Sequence, residues 1–290
     1  MLLTLMVTPR LPLPKGKGAS IDLTALPAFV RDQFAVHGLS ISTEILSGIT
    51  REGLTALREA ADRAACACLM LVEPRPLTLG APDAAPALAR AERLVEAASV
   101  LGCNAVAMGI NAAEKDTDTI VERLKAISAR ADRRELNVLI SPTEGLTADP
   151  ERVTDLIKKV GGFRIGTFPD FEAASRWKDP TSYLRRLVPY AGGICASTLD
   201  FVEGEPHAPK PAQIPDDPFE RELRSVIEEL EAEELFEHRP YSLESLVSVA
   251  ASVGFEGTLS IDYRGPGDVT LGVRRTRGAL ERCLEGLSGA

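Results

Sequence analysis

Two carboxylates stand at the ends of apolar segments in this sequence. Asp262 lies within LSIDYRG, between Ile261 and Tyr263 at the end of an apolar run, where a charge is costly without a partner. Asp170 follows a proline in GTFPDF, and that proline ends the apolar run and can direct the carboxylate inward. Carboxylates that meet in a concave site hold a hard divalent cation or act as general acids and bases. The alternative for each is that it caps a helix or contacts solvent.

Further polar residues end neighbouring apolar segments and are candidates for the same site. In chain order they are Glu73, Arg75, Asn111, Glu114, Ser141, Thr143, Glu144, Thr167, Cys195, Ser197, Asp200, Arg264 and Asp268. The histidines do not lie on these ends, since His37 precedes a glycine, His207 lies in a proline-rich segment and His238 ends an acidic segment that we expect to be helical. A histidine-based triad or a zinc site is therefore unsupported.

Eight short apolar segments rich in β-forming residues must position these side chains. They span 2–7, 39–43, 66–72, 103–109, 136–141, 163–167, 193–197 and 257–263. Their lack of apolar/polar alternation predicts strands buried on both faces of a parallel sheet. Amphipathic helical segments lie between them, and Thr50, Asp149 and Asp179 are predicted helix caps. Several helix tails reach a glycine just before the next strand, in VHGLSI and VLGCNAV for example, and we expect these glycines to close the helices.

Strand–helix–strand units with short joints force parallel pairing with right-handed crossovers. Eight such units in 290 residues predict an α/β fold, a single (β/α)8 TIM barrel over residues 1–290. A doubly wound sheet is the alternative, but PKGKG at 14–18 fits neither of the phosphate-binding glycine patterns. In a barrel, the residues just past the C-terminal strand ends converge on one mouth. The proline-rich loop 201–217 after strand seven is predicted to be either a lid at this mouth or a rigid surface excursion.

Composition narrows the class of partner. The formal net charge is -9, and no Lys/Arg cluster with interleaved aromatic residues marks a nucleic-acid surface. No apolar stretch approaches the length of a membrane span, and the apolar N-terminus lacks the basic region of a signal peptide. The five cysteines lie within or beside apolar segments, which predicts reduced thiols in a cytoplasmic protein. We expect a small-molecule partner, and a homo-oligomer stays open.

Four segments in order resemble the sugar phosphate isomerase/epimerase family, the xylose isomerase-like TIM barrels. LNVLISPTEGLTADPERVTDLIKKVG resembles the fifth strand and its helix, FRIGTFPDF the sixth strand, GGICASTLDF the seventh and GFEGTLSIDYRGPGD the eighth. The resemblance covers most of the chain and is best from Leu136 onward. It implies a divalent metal (manganese, magnesium or zinc) held by Glu, Asp, His and Glu from strands five to eight. It also implies that the two glutamates move a proton at the carbon beside a carbonyl or hydroxyl.

The sequence departs from this implied ligand set. The fifth-strand glutamate falls on Ser141, the seventh-strand histidine on Cys195 and the lysine two residues later on Ser197, whereas Asp170 is kept and the last glutamate becomes Asp262. The ligands that the resemblance leaves are Asp170, Asp262 and Cys195, the last as a thiolate suited to a softer ion such as zinc. Glu144, three residues beyond Ser141, is the candidate that could replace the missing glutamate.

Three functions are therefore open. The first is a sugar isomerase or epimerase that acts on a small sugar or sugar derivative by proton transfer beside a carbonyl, with an altered divalent-metal site. The second is a barrel that has lost catalysis and serves as a binding or scaffold protein, as the residues at Ser141, Cys195 and Ser197 suggest. The third is a metal-free enzyme with Asp262 and Glu144 as its acid/base pair.

Overall fold

The computed structural model describes residues 1–16, 21–203 and 236–288. Its parallel strands are β1 (Leu2–Val7), β2 (Gly38–Ser42), β3 (Ala67–Leu77), β4 (Ala105–Ile110), β5 (Asn137–Ser141), β6 (Ile165–Thr167), β7 (Ile194–Thr198) and β10 (Thr258–Tyr263). A separate antiparallel pair consists of β8 (Phe201–Glu203) and β9 (Phe236–His238).

Helices cover the outside of the sheet. They are α1 (Leu26–Phe34), α2 (Arg51–Arg63), α3 (Ala85–Leu101), α4 (Thr117–Asp132), α5 (Pro150–Val160), α6 (Phe171–Ser175), α7 (Pro180–Leu187), α8 (Leu243–Ser252) and α9 (Val269–Ser288). Among the described residues, none of these helices combines the length and the hydropathy that crossing a membrane requires.

The eight parallel strands form a closed barrel. They pair in the order β6-β5-β4-β3-β2-β1-β10-β7, and two parallel bridges, Thr167 with Ala191 and Asp170 with Cys195, join the two ends. The backbone N–H of Cys195 donates to the carbonyl of Pro169 at 2.8 Å across this seam. The predicted TIM barrel is thereby confirmed, and the seam places the ends of β6 and β7 side by side. The extent of the domain, residues 1–290, stays a prediction.

The alternation of side chains along the strands divides the core into two clusters, one between the barrel and the helices and one inside the barrel. On β1, Leu5 and Val7 face the helices, whereas Met6 points into the barrel, where it packs with Phe168 and Cys195. On β10, Ile261 likewise faces the helices and Ser260 points inward. Because side chains alternate along a strand, Asp262 shares the inward face with Ser260. One set of apolar side chains therefore builds the layer beneath the helices, and the barrel interior combines a smaller apolar cluster around Met6 and Phe168 with polar residues such as Ser260.

The helix caps follow the sequence at most positions. Thr50 and Asp149 accept backbone N–H groups at the starts of α2 and α5, and Asp179 does the same for α7, as predicted. Gly102 closes α3 with φ 76°. The expectation that Gly38 closes a helix was wrong, because α1 ends at Phe34 and is capped by Ala35. Ala35 adopts the left-handed backbone conformation, and its N–H donates to the carbonyl of Arg31.

Gly38 instead opens β2. A Cβ atom at this glycine would lie 2.8 Å from the Leu69 side chain and 2.9 Å from that of Thr4, so close packing accounts for the glycine there.

The segment after β7 differs from its prediction where the structure describes it. Residues 201–203 of the proline-rich loop 201–217 form β8, and residues 204–217 lie outside the described residues, so the lid and surface alternatives both stay predictions. His238 does not end a helix, because it is the last residue of β9. It packs against the rings of Phe201 and Tyr241, with centroids 5.4 Å and 4.3 Å away.

Candidate active site

The C-terminal ends of the strands surround a cavity of ≈ 300 Å³, which we call the mouth. Every barrel strand or the residues just after it contribute to its wall, as a (β/α)8 barrel requires. The lining residues are Met6, Thr8, Ser42, Glu44, Val72, Glu73, Pro74, Gly109, Ser141, Pro142, Thr143, Phe168, Asp170, Glu172, Ala173, Arg176, Cys195, Asp262 and Arg264. The three predicted metal ligands, Asp170, Cys195 and Asp262, therefore meet in one place. The other predicted candidates that line the mouth are Glu73, Ser141, Thr143 and Arg264.

Arg264 binds three carboxylates in the mouth. Its Nε donates to Asp262 Oδ2 at 2.7 Å, its Nη1 to Glu172 Oε2 at 2.8 Å and its Nη2 to Asp170 Oδ2 at 2.6 Å. Nη2 also lies 3.4 Å from the Cys195 sulfur. Each nitrogen of the guanidinium thus contacts a different carboxylate, and we call these four residues, Asp170, Glu172, Asp262 and Arg264, the Arg264 cluster.

Local geometry explains why these side chains meet. Asp262 and Arg264 are two residues apart on an extended backbone, so their side chains leave on the same face. Asp170 caps α6 by accepting the N–H of Ala173 at 2.9 Å. Ser197 links β7 to the segment that follows β6, because its hydroxyl donates to Asp170 Oδ1 at 3.0 Å and accepts the N–H of Glu172 at 2.9 Å.

Burial sets the electrostatics of the Arg264 cluster. Burial raises the pKa of Asp262, and the charge and hydrogen bond of Arg264 oppose that rise. Burial, followed by the negative charge of Asp170, raises the pKa of Cys195 well above its usual range. The neutral thiol of Cys195 is therefore favoured, and its Sγ donates to Asp262 Oδ2 at 3.7 Å. The thiolate form that a soft metal ion would need is disfavoured in this environment.

A second set of hydrogen bonds holds the seventh strand end from the outside. His238 accepts the backbone N–H of Leu199 with Nε2 at 3.0 Å, so it carries its proton on Nδ1, which donates to the carbonyl of Tyr241 at 2.9 Å. The Tyr241 hydroxyl donates to the carbonyl of Ser197 at 2.6 Å. Burial lowers the pKa of His238. The neutral imidazole thus supports the strand that positions Cys195.

The other predicted residues occupy different environments. Glu144 is exposed, precedes the short 3-10 turn at 145–148 and is not among the residues that line the mouth. Ser141 does line the mouth, and its buried hydroxyl has no hydrogen-bond partner among the described residues. Glu73 is buried, with a bidentate contact from Arg90 and a hydrogen bond from Thr43 Oγ1 at 3.1 Å.

One member of the Arg264 cluster, Glu172, was not identified as a site residue from the sequence, whereas Arg264 was among the strand-end candidates. Arg264 was placed at a strand end, but no partner was assigned to it. Its position two residues after Asp262 was the available signal. Glu172 is the second residue of α6, the helix that Asp170 caps. A carboxylate in the first turn is favoured by the helix dipole, so its presence there did not by itself indicate a site.

Comparison with known proteins identifies the fold. No family model and no curated protein matches the sequence. An L-ribulose 3-epimerase matches with a TM-score of 0.72 and 10% identity over 99% of this chain and 95% of that chain. A D-psicose 3-epimerase from Clostridium cellulolyticum H10 matches with a TM-score of 0.67 and 13% identity over 98% of this chain and 99% of that chain. The chain has the fold of the xylose isomerase-like TIM barrels.

One structural relative of this xylose isomerase-like barrel was solved with a metal. It is a xylose isomerase-like TIM barrel protein from Mycobacterium smegmatis in complex with magnesium, with a TM-score of 0.65 and 13% identity over 91% of this chain and 89% of that chain. In the described part of the present chain, no three Asp, Glu, His or Cys side chains are arranged to hold a metal ion. Three carboxylates of the mouth, those of Asp170, Glu172 and Asp262, point at Arg264, and burial raises the pKa of Cys195 and so disfavours its thiolate. These residues do not fit a divalent cation.

Proposed function

We propose that this protein is a sugar isomerase/epimerase-like barrel that binds a small, uncharged sugar or sugar derivative in its mouth. The observation that carries the proposal is the wall of the mouth, which combines paired charges, one unpartnered hydroxyl and an apolar side. The sugar epimerases with the same fold support a sugar as the ligand class. The free cysteines support a reducing compartment such as the cytoplasm.

The charges of the wall favour an uncharged ligand. Five carboxylates line the mouth (Glu44, Glu73, Asp170, Glu172 and Asp262), against the two guanidinium groups of Arg176 and Arg264. Both of these arginines already form ion pairs with the carboxylates, and no lysine stands among the described lining residues. A phosphate group would therefore meet excess negative charge and no unpaired cation in this wall.

The remaining wall offers the contacts that a sugar uses. The buried hydroxyl of Ser141 has an unused hydrogen-bonding capacity, which a ligand hydroxyl would satisfy. Phe168, Met6 and Val72 give the apolar side against which the C–H groups of a sugar can pack. The volume of ≈ 300 Å³ lies at the lower end of the range for small-molecule sites, which suits a monosaccharide.

Isothermal titration calorimetry tests the proposal. D-psicose, D-tagatose and D-fructose are titrated into the protein in the presence of EDTA, with fructose 6-phosphate as the charged comparison. We expect at least one uncharged sugar to bind in EDTA and the phosphate ester to bind more weakly. Ser141→Ala should weaken the binding, because the ligand loses its hydrogen bond, whereas the exposed Glu144→Gln should leave it unchanged. The proposal is contradicted if no sugar binds or if the phosphate ester binds best.

A metal-free isomerisation is the second candidate, and Asp262 favours it. Burial raises the pKa of this carboxyl group, as a general base near neutral pH requires. Oδ2 of Asp262 accepts both of its hydrogen bonds, from Cys195 and Arg264. Its Oδ1 has no hydrogen-bond partner among the described residues. In an aldose–ketose isomerisation, one base can move a proton from one carbon to the neighbouring carbon, while a second proton must pass from the hydroxyl oxygen to the carbonyl oxygen; Asp262 would serve the first of these transfers. Glu144, the predicted second acid/base residue, would have to enter the mouth to take part.

Proton exchange with solvent distinguishes the two candidates. The protein is incubated with the sugar that binds, in D₂O, and deuterium incorporation beside the carbonyl is followed by NMR. Exchange that disappears in Asp262→Asn, with sugar binding retained, supports catalysis by Asp262. Binding without exchange in the unsubstituted protein supports the binding or scaffold function.

A further inference from the structure

We infer that a groove between α2 and α3 is a second ligand site, which binds an amphipathic carboxylate, a molecule with one carboxylate head and an elongated apolar body such as a medium-chain fatty acid. We call it the side groove. Its volume of ≈ 910 Å³ lies within the range of small-molecule sites, and Glu44 and Glu73 line both the side groove and the mouth. The inference goes beyond the proposed sugar function, and it stands whether or not the mouth binds a sugar.

The first argument is the apolar floor of the side groove. Leu54 from α2, Leu94 from α3 and Leu71 from β3 line it, and all three belong to the core beneath the helices. Ile49 and Ala97 line it as well, and they are only half-buried. Apolar side chains of two neighbouring helices and a strand thus border an open space, and a ligand with an apolar body would remove their surface from water.

The second argument is the charge of the rim. Four arginines and three glutamates line the side groove, which leaves one positive charge in excess in a chain whose formal net charge is -9. They are Arg51, Arg75, Arg90, Arg93, Glu44, Glu73 and Glu96. The mouth has the opposite excess, with five carboxylates and two guanidinium groups. An excess of one positive charge beside an apolar floor complements a monoanion better than a cation or a dianion.

The third argument is that two of these arginines have unused donors. Arg90 contacts the buried Glu73, whereas the side chains of Arg75 and Arg93 form no hydrogen bond or ion pair with the described residues. Arg75 donates its backbone N–H to Glu73 Oε1 at 2.9 Å, and Arg93 follows Arg90 by one turn of α3. Both unpaired guanidinium groups therefore extend from positions next to the same buried ion pair, where one carboxylate head can accept hydrogen bonds from them.

Isothermal titration calorimetry of the full-length protein tests the inference with two probes of equal chain length and opposite charge, decanoate and decyltrimethylammonium, both below their micelle concentrations. We expect decanoate to bind at least about 10-fold more tightly than the cation. Arg75→Ala combined with Arg93→Ala should weaken decanoate binding by about 10-fold, because hydrogen bonds to a charged head are lost. Arg133→Ala is the matched control, since this arginine is also exposed but does not line the side groove, and it should change nothing.

Two further variants locate the bound decanoate. Ala97→Phe fills the side groove and should abolish the binding, whereas Ser141→Ala alters only the mouth and should leave it unchanged. Circular dichroism checks that Ala97→Phe folds. If it does not, the variant that lacks Arg75 and Arg93 decides, because both side chains are exposed and unpaired among the described residues.

The inference is overturned if decanoate does not bind at millimolar concentration, if decyltrimethylammonium binds as tightly, or if the double arginine variant keeps its full affinity for decanoate. Loss of decanoate binding in Ser141→Ala but not in Ala97→Phe would place the ligand in the mouth and would overturn it as well. Sedimentation velocity covers the other occupant. A dimer that Ala97→Phe dissociates would show that a second copy of the chain covers the side groove, and it too would overturn the inference.

Discussion

Replacing Arg264 with glutamine should destabilise the fold far more than the loss of an ordinary ion pair. The substitution leaves Asp170, Glu172 and Asp262 without their shared cation, at side-chain exposures of 10–14%. Removing one partner of a buried ion pair costs about 3–5 kcal/mol. Because a third of the Arg264 side chain reaches solvent, we expect a smaller loss in the free energy of unfolding, about 2–4 kcal/mol at neutral pH.

Urea unfolding followed by circular dichroism measures this loss. Arg176→Gln is the matched comparison, because it breaks an exposed contact to the same Glu172 and should cost at most about 0.5 kcal/mol. The difference between Arg264→Gln and the unsubstituted protein should shrink as the solution is acidified, since protonation removes the uncompensated charge of the carboxylates. A loss below about 1 kcal/mol, or one equal to that of Arg176→Gln, would refute the reasoning that Arg264 neutralises buried carboxylates.

Three further predictions concern the surroundings of the mouth. Iodoacetamide should leave Cys195 unmodified in the folded protein and label it in urea, as mass spectrometry would show, because burial raises the pKa of its thiol. The free energy of unfolding should fall as the pH decreases from about 7 to about 5, because the lowered pKa of His238 makes the fold favour its neutral form. Because glutamine does not titrate, His238→Gln should make the free energy of unfolding depend less on pH between about 7 and about 5. An unchanged pH dependence in this variant would contradict the prediction. Gly265→Ala should yield little folded protein in expression trials, because the new Cβ would lie 1.5 Å from the carbonyl oxygen of Leu199, whereas Gly286→Ala, with nothing within 4 Å, should fold normally.

The barrel could be predicted because its strands are buried on both faces. An apolar run without alternation is visible in one sequence, and seven of the predicted segments approximate β1 to β7 and the eighth approximates β10. The first and last residues of the strands could not be predicted as well. β3 continues to Leu77, through two prolines, because it resumes pairing with Ile110 after a shift of register. Phe163, assigned to the sixth strand, is fully exposed before β6 begins.

The candidate site could be predicted only as far as strand ends define it. Asp170 and Asp262 were found because a barrel brings its strand ends together, and the structure places both in the mouth. The contact between Asp170 and Arg264 joins residues 94 positions apart, and it depends on the seam that sets β7 between β6 and β10. Spacing along the chain does not reveal which carboxylates one arginine will contact. Nearness in sequence is equally uninformative for Glu144, which stands three residues after Ser141 and yet is exposed and does not line the mouth.

A crystal structure grown with millimolar Mn²⁺ and collected for anomalous scattering tests the central claim most directly. The account predicts that the Arg264 guanidinium lies within hydrogen-bonding distance of Asp170, Glu172 and Asp262, with no anomalous peak among them. A manganese peak in contact with these carboxylates, and Arg264 displaced toward solvent, would contradict it.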